Sequence, residues 1–524
     1  MEEPPEERAS KRRRLRSEED NGHSPHKTLE RSISPPALRN GSKRSSPRRS
    51  SSSQGILPSQ FQLTSIRDLP ASVNQDTVSL KDILGDPLIA ECWEFNYLHD
   101  LDFLMDAFDP DVKDSVKVHV VHGFWKHEDS SREKAKKYKN ITLHTAYMGA
   151  MFGTHHSKMI ILLRHDATAQ VIIHTANMIP FDWTNMTQAV WRSPLLPEIT
   201  DDHPEPPKSD IYGTGSKFKT DLLNYLKAYD QRKTICAPLV KALSSHDFSK
   251  IRAALVSSVP GKHKVNESAT QYGWQALKKV INTIPVKSTE PEIVVQISSI
   301  ATLGSTDAWL KETFFKSMRS KGDSQSSKLF RIIFPTADEV RRSLNGYNSG
   351  SALHTKIQSA AQQKQFRYLK PLLYHWAGDG EQHAADSKTQ TECDAGRKRA
   401  APHIKTYIRF SDSSHSSIDW MMITSANLSK QAWGEALNAA GETRISSYEI
   451  GVLVWPGLFG EDARMVPAFK SDTPDIVAQE GEVVIGARMP YSLPLVPYGR
   501  DDEPWVATTA YTEPDWMGQQ WNVE

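Results

Sequence analysis

The sequence predicts an α/β protein of two similar halves, each a mixed β-sheet flanked by helices, with an active site at the pseudo-two-fold interface. Two observations predict it. Segments rich in Val and Ile alternate with helix-like stretches, the pattern of strands layered against helices. A short motif also occurs twice: His156-Ser157-Lys158 returns as His403-Ile404-Lys405, and each copy is followed by an apolar run that closes on an asparagine. The first run, from Val171 to Ala176, leads to Asn177, and the second, from Met421 to Ala426, leads to Asn427.

Taken in order, the first 57 residues are rich in Ser, Pro, Arg and Glu and poor in large hydrophobes, with 13 Lys+Arg against 8 Asp+Glu. A disordered basic tail is expected over 1–57. Within it, Lys11-Arg12-Arg13-Arg14-Leu15-Arg16 reads as a nuclear-import signal or as a solvated arm that holds nucleic acid. Ser24-Pro25, Ser34-Pro35 and Ser46-Pro47 are candidate phosphorylation sites that would reduce its charge. The body begins near Phe61. Residues 116–121, 292–297 and 449–454 read as strands, and 219–226 and 308–315 as helices. The repeat divides the body into 58–248 and 249–524, one motif in each. A polar stretch, 378–399, holds few core residues and reads as an exposed loop.

Composition narrows the class. Net charge is +1, and the chain beyond residue 57 carries 51 basic against 55 acidic residues, so a nucleic-acid groove there must be a local patch. Cys92, Cys236 and Cys393 are too far apart for a disulfide or metal framework, which points to a reducing intracellular compartment. No run approaches the ~20 apolar residues of a membrane span, and the charged N-terminus is unlike a secretory signal. A soluble protein without a membrane partner is expected.

The repeated motif carries the chemistry. Alternate residues of a strand share a face, so His-x-Lys on a strand sets imidazole and ammonium side by side. Two such strands meeting at a pseudo-dyad supply two imidazoles, two cations and two amides around one phosphate. One imidazole can attack phosphorus while the other protonates the leaving oxygen, and Lys158, Lys405, Asn177 and Asn427 can stabilise charge on the non-bridging oxygens. The lysines provide the positive charge that a divalent metal supplies elsewhere. No carboxylate cluster lies near either motif, so neither a metal nor a cofactor is expected.

With both motifs placed, the chain resembles the phospholipase D superfamily. That family's usual Asp five residues after Lys is replaced here by Leu163 and Phe410. The missing acids, and residues 153–159, 402–407, 424–430, 447–452 and Phe95-Asn96-Tyr97, are similar to the tyrosyl-DNA phosphodiesterase branch. The likeness runs from about residue 60 to the end, including Pro504-Trp505 near the C-terminus. It implies two phospholipase D-like halves and an enzyme that hydrolyses the bond between a topoisomerase I tyrosine and the 3′ phosphate of DNA. By position, His156 would be the nucleophile and His403 the general acid and later base. Glu449 would hydrogen-bond His156 and Gln188 would hydrogen-bond His403. Glu449 could instead pair with a surface cation, and Gln188 could cap a loop.

The resemblance also places DNA contacts. Phe152 would stack on a base, or is a core phenylalanine. Ser298, Ser299, Ser351, Ser429 and Lys430 match phosphate-contacting positions, although loop hydroxyls often only satisfy backbone groups. Tyr97 would meet the peptide side of the adduct, or merely pack. Ala507 stands where relatives place a second aromatic after Trp505, so the peptide-side wall is expected to differ. The implied partners are single-stranded or nicked DNA bearing 3′-phosphotyrosyl or other 3′ adducts, and the topoisomerase-derived peptide, met by a nuclear monomer. Two other readings compete. A phospholipase D-type lipid phosphodiesterase is disfavoured by the lack of an amphipathic membrane helix. An inactive DNA-end-binding protein would have lost a His or Lys, and all are present.

Overall fold

The computed structural model describes residues 55–123, 130–149, 152–201, 207–265, 267–286, 290–323, 329–377 and 393–523. The basic run and the Ser-Pro pairs of the tail lie outside the described residues. Its last two residues do not belong to a tail: Ile56–Leu57 form strand β1, so the folded body starts earlier than expected. The first sheet takes β2 (Gln62–Leu63), β3 (Ile89–Phe95), β4 (Lys117–His122), β5 (Ile141–Thr145), β6 (Met159–Arg164), β7 (Thr168–His174), β8 (Ala189–Arg192) and β9 (Leu196–Pro197). The second sheet takes β10 (Ala254–Ser258) and, after the outlying β11 (Gly261–Lys264), β12 (Glu292–Gln296), β13 (Phe330–Ile333), β14 (Leu373–Tyr374), β15 (Thr406–Phe410) and β16 (Ile418–Thr424). β17 (Glu442–Ile445) pairs only with β11, while β18 (Glu449–Val454), β19 (Arg464–Ala468) and β20 (Val484–Arg488) complete the second sheet, with β1 parallel to β20 at its edge.

The two sheets repeat one topology. In the first, β3 is parallel to β4 and antiparallel to β6, β4 is parallel to β5, and β6, β7 and β8 follow antiparallel. In the second, β12, β13, β14, β15, β16 and β18 repeat each of these relations in turn. Phe95 pairs with Met159 and Gln296 with Thr406, so corresponding strands end at the same level. The sheets are mixed, as expected, and their central strands are buried on both faces, which explains the unbroken apolar runs. A hydrophobic core joins residues of both halves, from Ile161 and Ile173 to Ile408, Ile423 and Ile450.

One helix matters to the site. Gly215–Lys227 opens on Thr214, whose side chain accepts from the Lys217 amide, a cap worth about 1 kcal/mol. Phe218, Leu222, Tyr225 and Leu226 share its buried stripe, and Tyr229 follows in the next turn. The Tyr225 hydroxyl bonds Ser157 and the Tyr229 hydroxyl lies 3.0 Å from Nε2 of His155. Both residues beside His156 are thereby pinned.

Two expectations need correction. Neither His-x-Lys lies within a strand: each stands immediately before one, at β6 and at β15. The ladder reaches only the lysines, whose carbonyls accept from His174 and Thr424, because the histidines bond across to the other half instead. The stretch 378–399 is not simply an exposed loop. Residues 378–392 lie outside the described residues, but Ala395 and Arg397 are buried, and the Arg397 guanidinium donates to the Thr64 and Val73 carbonyls. The helix expected at 308–315 is present, wound as a π-helix over Leu310–Phe315, where the Phe315 ring stacks on Phe330 at 3.8 Å.

Candidate active site

The two histidines are held by exchange between the halves. In the first half, His155 forms a parallel bridge with Tyr448, the residue before β18. The Tyr448 amide donates to the Thr154 carbonyl and the His156 amide donates to the Tyr448 carbonyl, each at 3.0 Å. In the second, Pro402 bridges Thr187, two residues before β8. The Thr187 amide donates to Ala401 at 2.9 Å and the His403 amide donates to Thr187 at 3.2 Å. The residue after each anchor then meets the imidazole. Glu449 Oε2 lies 2.9 Å from Nδ1 of His156, and Gln188 Nε2 lies 3.0 Å from Nδ1 of His403. Ser425 and Thr175, two residues before the two asparagines, donate to Glu449 and Gln188 respectively.

These partners assign the protons. Nδ1–H of His156 donates to the Glu449 carboxylate, which leaves the Nε2 lone pair free for the cavity. His403 has a second neighbour, Asp182, whose Oδ2 lies 3.1 Å from Nδ1 and also accepts from the Asn177 amide at 2.6 Å. Of this pair the carboxylate holds the charge. Burial raises the Asp182 carboxyl, but His403, the Asn177 amide and Lys405 more than offset it. Burial and Lys405 push the His403 imidazole down to about 3, against the pull of Asp182. Nδ1–H of His403 therefore donates to Asp182, and Lys405 Nζ stands 3.2 Å from Nε2.

Both lysines are wholly buried. Burial lowers Lys158 to about 8 against the attraction of Glu449, Asp182 and Glu94. Lys405 is pushed well below the ordinary lysine value by burial and by Lys158. Burial also lowers His156, opposed by Glu449. Each buried ion costs several kcal/mol of desolvation, and here the cations share one small space. The arrangement is built to receive an anion.

The family model described as tyrosyl-DNA phosphodiesterase matches residues 60–499. The chain belongs to the tyrosyl-DNA phosphodiesterase family. It is similar to the probable tyrosyl-DNA phosphodiesterase of Schizosaccharomyces pombe, 32% identical over 90% of this chain and 96% of that protein. It is similar also to tyrosyl-DNA phosphodiesterase 1 of Arabidopsis thaliana, 31% identical over 89% of this chain and 77% of the relative. Among solved structures, the yeast tyrosyl-DNA phosphodiesterase shares the fold, with a TM-score of 0.63 at 20% identity over 85% of this chain and 98% of that one.

Within this family member, a cavity of about 440 Å³ is lined by His156, Asn177, His403, Asn427 and Glu449 together with Tyr97, Phe152, Ser298, Ser299, Ser351 and Ser429. Lys158, Lys405 and Gln188 lie buried beneath it. Lys430 lines a neighbouring cavity with Lys262 and Arg444, and Phe152 lines both. Phe152 is 78% exposed, so it is no core phenylalanine, and Tyr97 meets the His156 ring edge-on at 5.7 Å. Asn427 Oδ1 accepts from the Ser298 and Ser299 amides at 3.0 and 2.9 Å. Two hydroxyls do serve backbone: Ser351 donates to Asn348, and Ser429 caps the turn Lys430–Trp433. Among the described residues Glu449 pairs with no surface cation and Gln188 caps no loop. Leu163 and Phe410 pack into the core in place of the missing acids. Ala507 accepts from the Trp521 indole, while Trp505 is fully buried.

Sequence reasoning missed Asp182 and His354. Asp182 stands five residues after Asn177, where the second copy has Ala432, so the repeat does not flag it. A repeated signal was available one residue later. Trp183 and Trp433, each six after its asparagine, donate from Nε1 to the Asn177 and Asn427 carbonyls, both at 3.0 Å.

Proposed function

We propose that this enzyme resolves the bond between a tyrosine oxygen and the 3′ phosphate of DNA in two steps, with His156 as nucleophile and His403 as acid and then base. The observation that carries the reading is the pair of imidazoles on one cavity, each braced on Nδ1 by a polar side chain of the other half. The Nε2 of His156 attacks phosphorus, a P–N bond forms, and the P–O bond to tyrosine breaks. The leaving phenolate takes the proton from Nε2 of His403. Water then attacks phosphorus, His403 accepts its proton, the P–N bond breaks, and a 3′ phosphate departs. Lys158, Lys405, Asn177 and Asn427 hold the non-bridging oxygens throughout.

The phosphate's own charge is what makes His403 an acid. In the free site burial and Lys405 keep it neutral, and an entering phosphodiester anion favours the protonated imidazole. Tyrosinate, with a phenol pKa of about 10, leaves more readily than the alkoxide of an intact strand, so adducts are preferred. Other 3′-blocked ends fit the same chemistry. We also propose that 58–248 and 249–524 act as two phospholipase D-like domains around this site. Phe152, Ser298, Ser299, Ser351, Ser429 and Lys430 then lead the strand in, and Tyr97 faces the peptide of topoisomerase I. Nuclear action, directed by the basic run at 11–16, and a monomeric state complete the proposal.

Among the described residues no helix is long and apolar enough to cross a membrane. The deciding experiment offers the purified protein a 3′-phosphotyrosyl oligonucleotide and, separately, phosphatidylcholine. Release of tyrosine with a 3′-phosphate end, and no choline release, supports the reading. The converse result restores the lipid alternative, and binding without turnover restores the inactive one.

A further inference from the structure

A third histidine shares the cavity with His156 and His403. His354 lines it from the wall that follows the turn Gly346–Ala352. Its backbone is fixed on both sides: its amide donates to the Ser298 carbonyl at 2.9 Å, and its carbonyl accepts from Ile300 at 2.8 Å. That partner segment is itself tied to Asn427 through the Ser298 and Ser299 amides. From behind, the buried Trp505 indole donates to the Gly350 and Leu353 carbonyls at 3.0 and 3.1 Å. A Cβ on Gly350 would come within 2.1 Å of that ring, so the wall has no slack. His354 is thus held at a set place relative to the phosphate-binding asparagine. Its side chain, by contrast, is exposed and makes no hydrogen bond to the protein among the described residues.

We propose that the His354 imidazole is a specificity-determining contact, donating a hydrogen bond to a backbone phosphate of the DNA strand next to the scissile one. The inference rests on the reading of this cavity as the DNA-processing site. Three features point to the strand rather than to the reacting phosphorus. His354 is bridged through its backbone to the serine-bearing segment 298–300, it shares its own wall with Ser351, and His156 and His403 already account for the two proton-bearing roles. The charged groups around it are Lys405, from the residue before β15, and Lys356, on its own segment, while Ser298, Ser299 and Ile300 packed against it carry no ionisable side chain. Partial desolvation against the cavity wall and these two cations hold the free imidazole below the ordinary histidine value. A phosphate brought against it favours the imidazolium. The sign follows: the contact is complete below the free-state value and is lost as pH rises through the raised value in the complex.

The test compares His354→Gln and His354→Ala with the native enzyme on two substrates. One is a 3′-phosphotyrosyl oligonucleotide, and the other is a mononucleoside 3′-aryl phosphate that has no second phosphate. For the oligonucleotide, KM is expected to rise about five- to tenfold in both variants, with kcat within twofold and with the native rise of KM with pH flattened. For the mononucleoside, neither constant should change. An unchanged oligonucleotide KM, an equal rise on both substrates, or a loss confined to kcat overturns the proposal. Fluorescence anisotropy with a labelled oligonucleotide ending in a 3′ phosphate separates the two readings. If the native protein binds this probe without cleaving the adduct, the enzymatic reading has failed, while His354 is still judged by whether its variants bind the probe more weakly.

Discussion

The Glu449 carboxylate meets His156 from the other half of the molecule, with Oε2 2.9 Å from Nδ1. Tyr448, one residue earlier, accepts the His156 amide. The same two-residue unit thus places the His156 backbone and selects its tautomer. Thr187 places the His403 backbone in the same way, while Asp182 takes Nδ1–H of that ring with Gln188 beside it. The halves therefore do more than face each other across a cavity. Each completes the other's histidine.

Replacing Glu449 with Gln keeps the shape but removes the charge that favours Nδ1–H on His156. Turnover should fall on the order of 100-fold, within the range of positioned proton-transfer groups, with KM changed little. Steady-state kinetics on the phosphotyrosyl oligonucleotide reads this directly. An unaltered kcat would show that Glu449 only fills space.

Asp182→Asn removes the acceptor of Nδ1–H on His403 and leaves the amide of Asn177 without its carboxylate. Base catalysis of the second step should suffer most, so the covalent intermediate should persist. Quenched-flow measurement would place the slow step after tyrosine release. A slow step before release would assign Asp182 to the acid alone.

The two histidines separate in a trapping experiment. His156→Ala should form no covalent complex and should be nearly inactive. His403→Asn retains the nucleophile but lacks the base, and departure of tyrosinate needs the acid less than hydrolysis needs the base. End-labelled DNA should then run at protein size on a denaturing gel, and mild acid should release the label. Trapping by His156→Ala instead would reverse the roles.

Anion binding should take up protons. Lys158 stands at about 8 in the free site, and Lys405 lies well below the ordinary value. A bound phosphate pulls both upward, so near pH 8 the complex holds more protons than its components. Calorimetry with a 3′-phosphorylated oligonucleotide at pH 8, run in buffers of different ionisation enthalpy, should show net uptake. Proton release would contradict the placement of these charges.

Activity should survive excess EDTA, because Lys158 and Lys405 supply the positive charge from the protein itself. Complete loss, restored by magnesium or manganese, would overturn the two-histidine mechanism.

Much of this was legible in the chain. His156, Lys158, Asn177 and their second copies are marked by residue type and spacing, and the strands beside them by apolar runs that either sheet must bury. Asp182 and His354 were not legible, since neither has a repeated counterpart. The ladder's failure to include the histidines was equally hidden. A strand pattern reports which side chains want burial, not which backbone amides will pair across a distant seam.

By itself the sequence determined the candidate reacting groups, the two-fold repeat and the α/β layering, because these follow from residue identity and local periodicity. Tertiary structure alone decided which group serves which. Glu449 is 293 residues from His156, and Gln188 is 215 from His403. Local chain geometry cannot choose between partners at such separations. The exchange arises only when two buried sheets close on one core, and that closure also strips water from the lysines and sets the charge of the site.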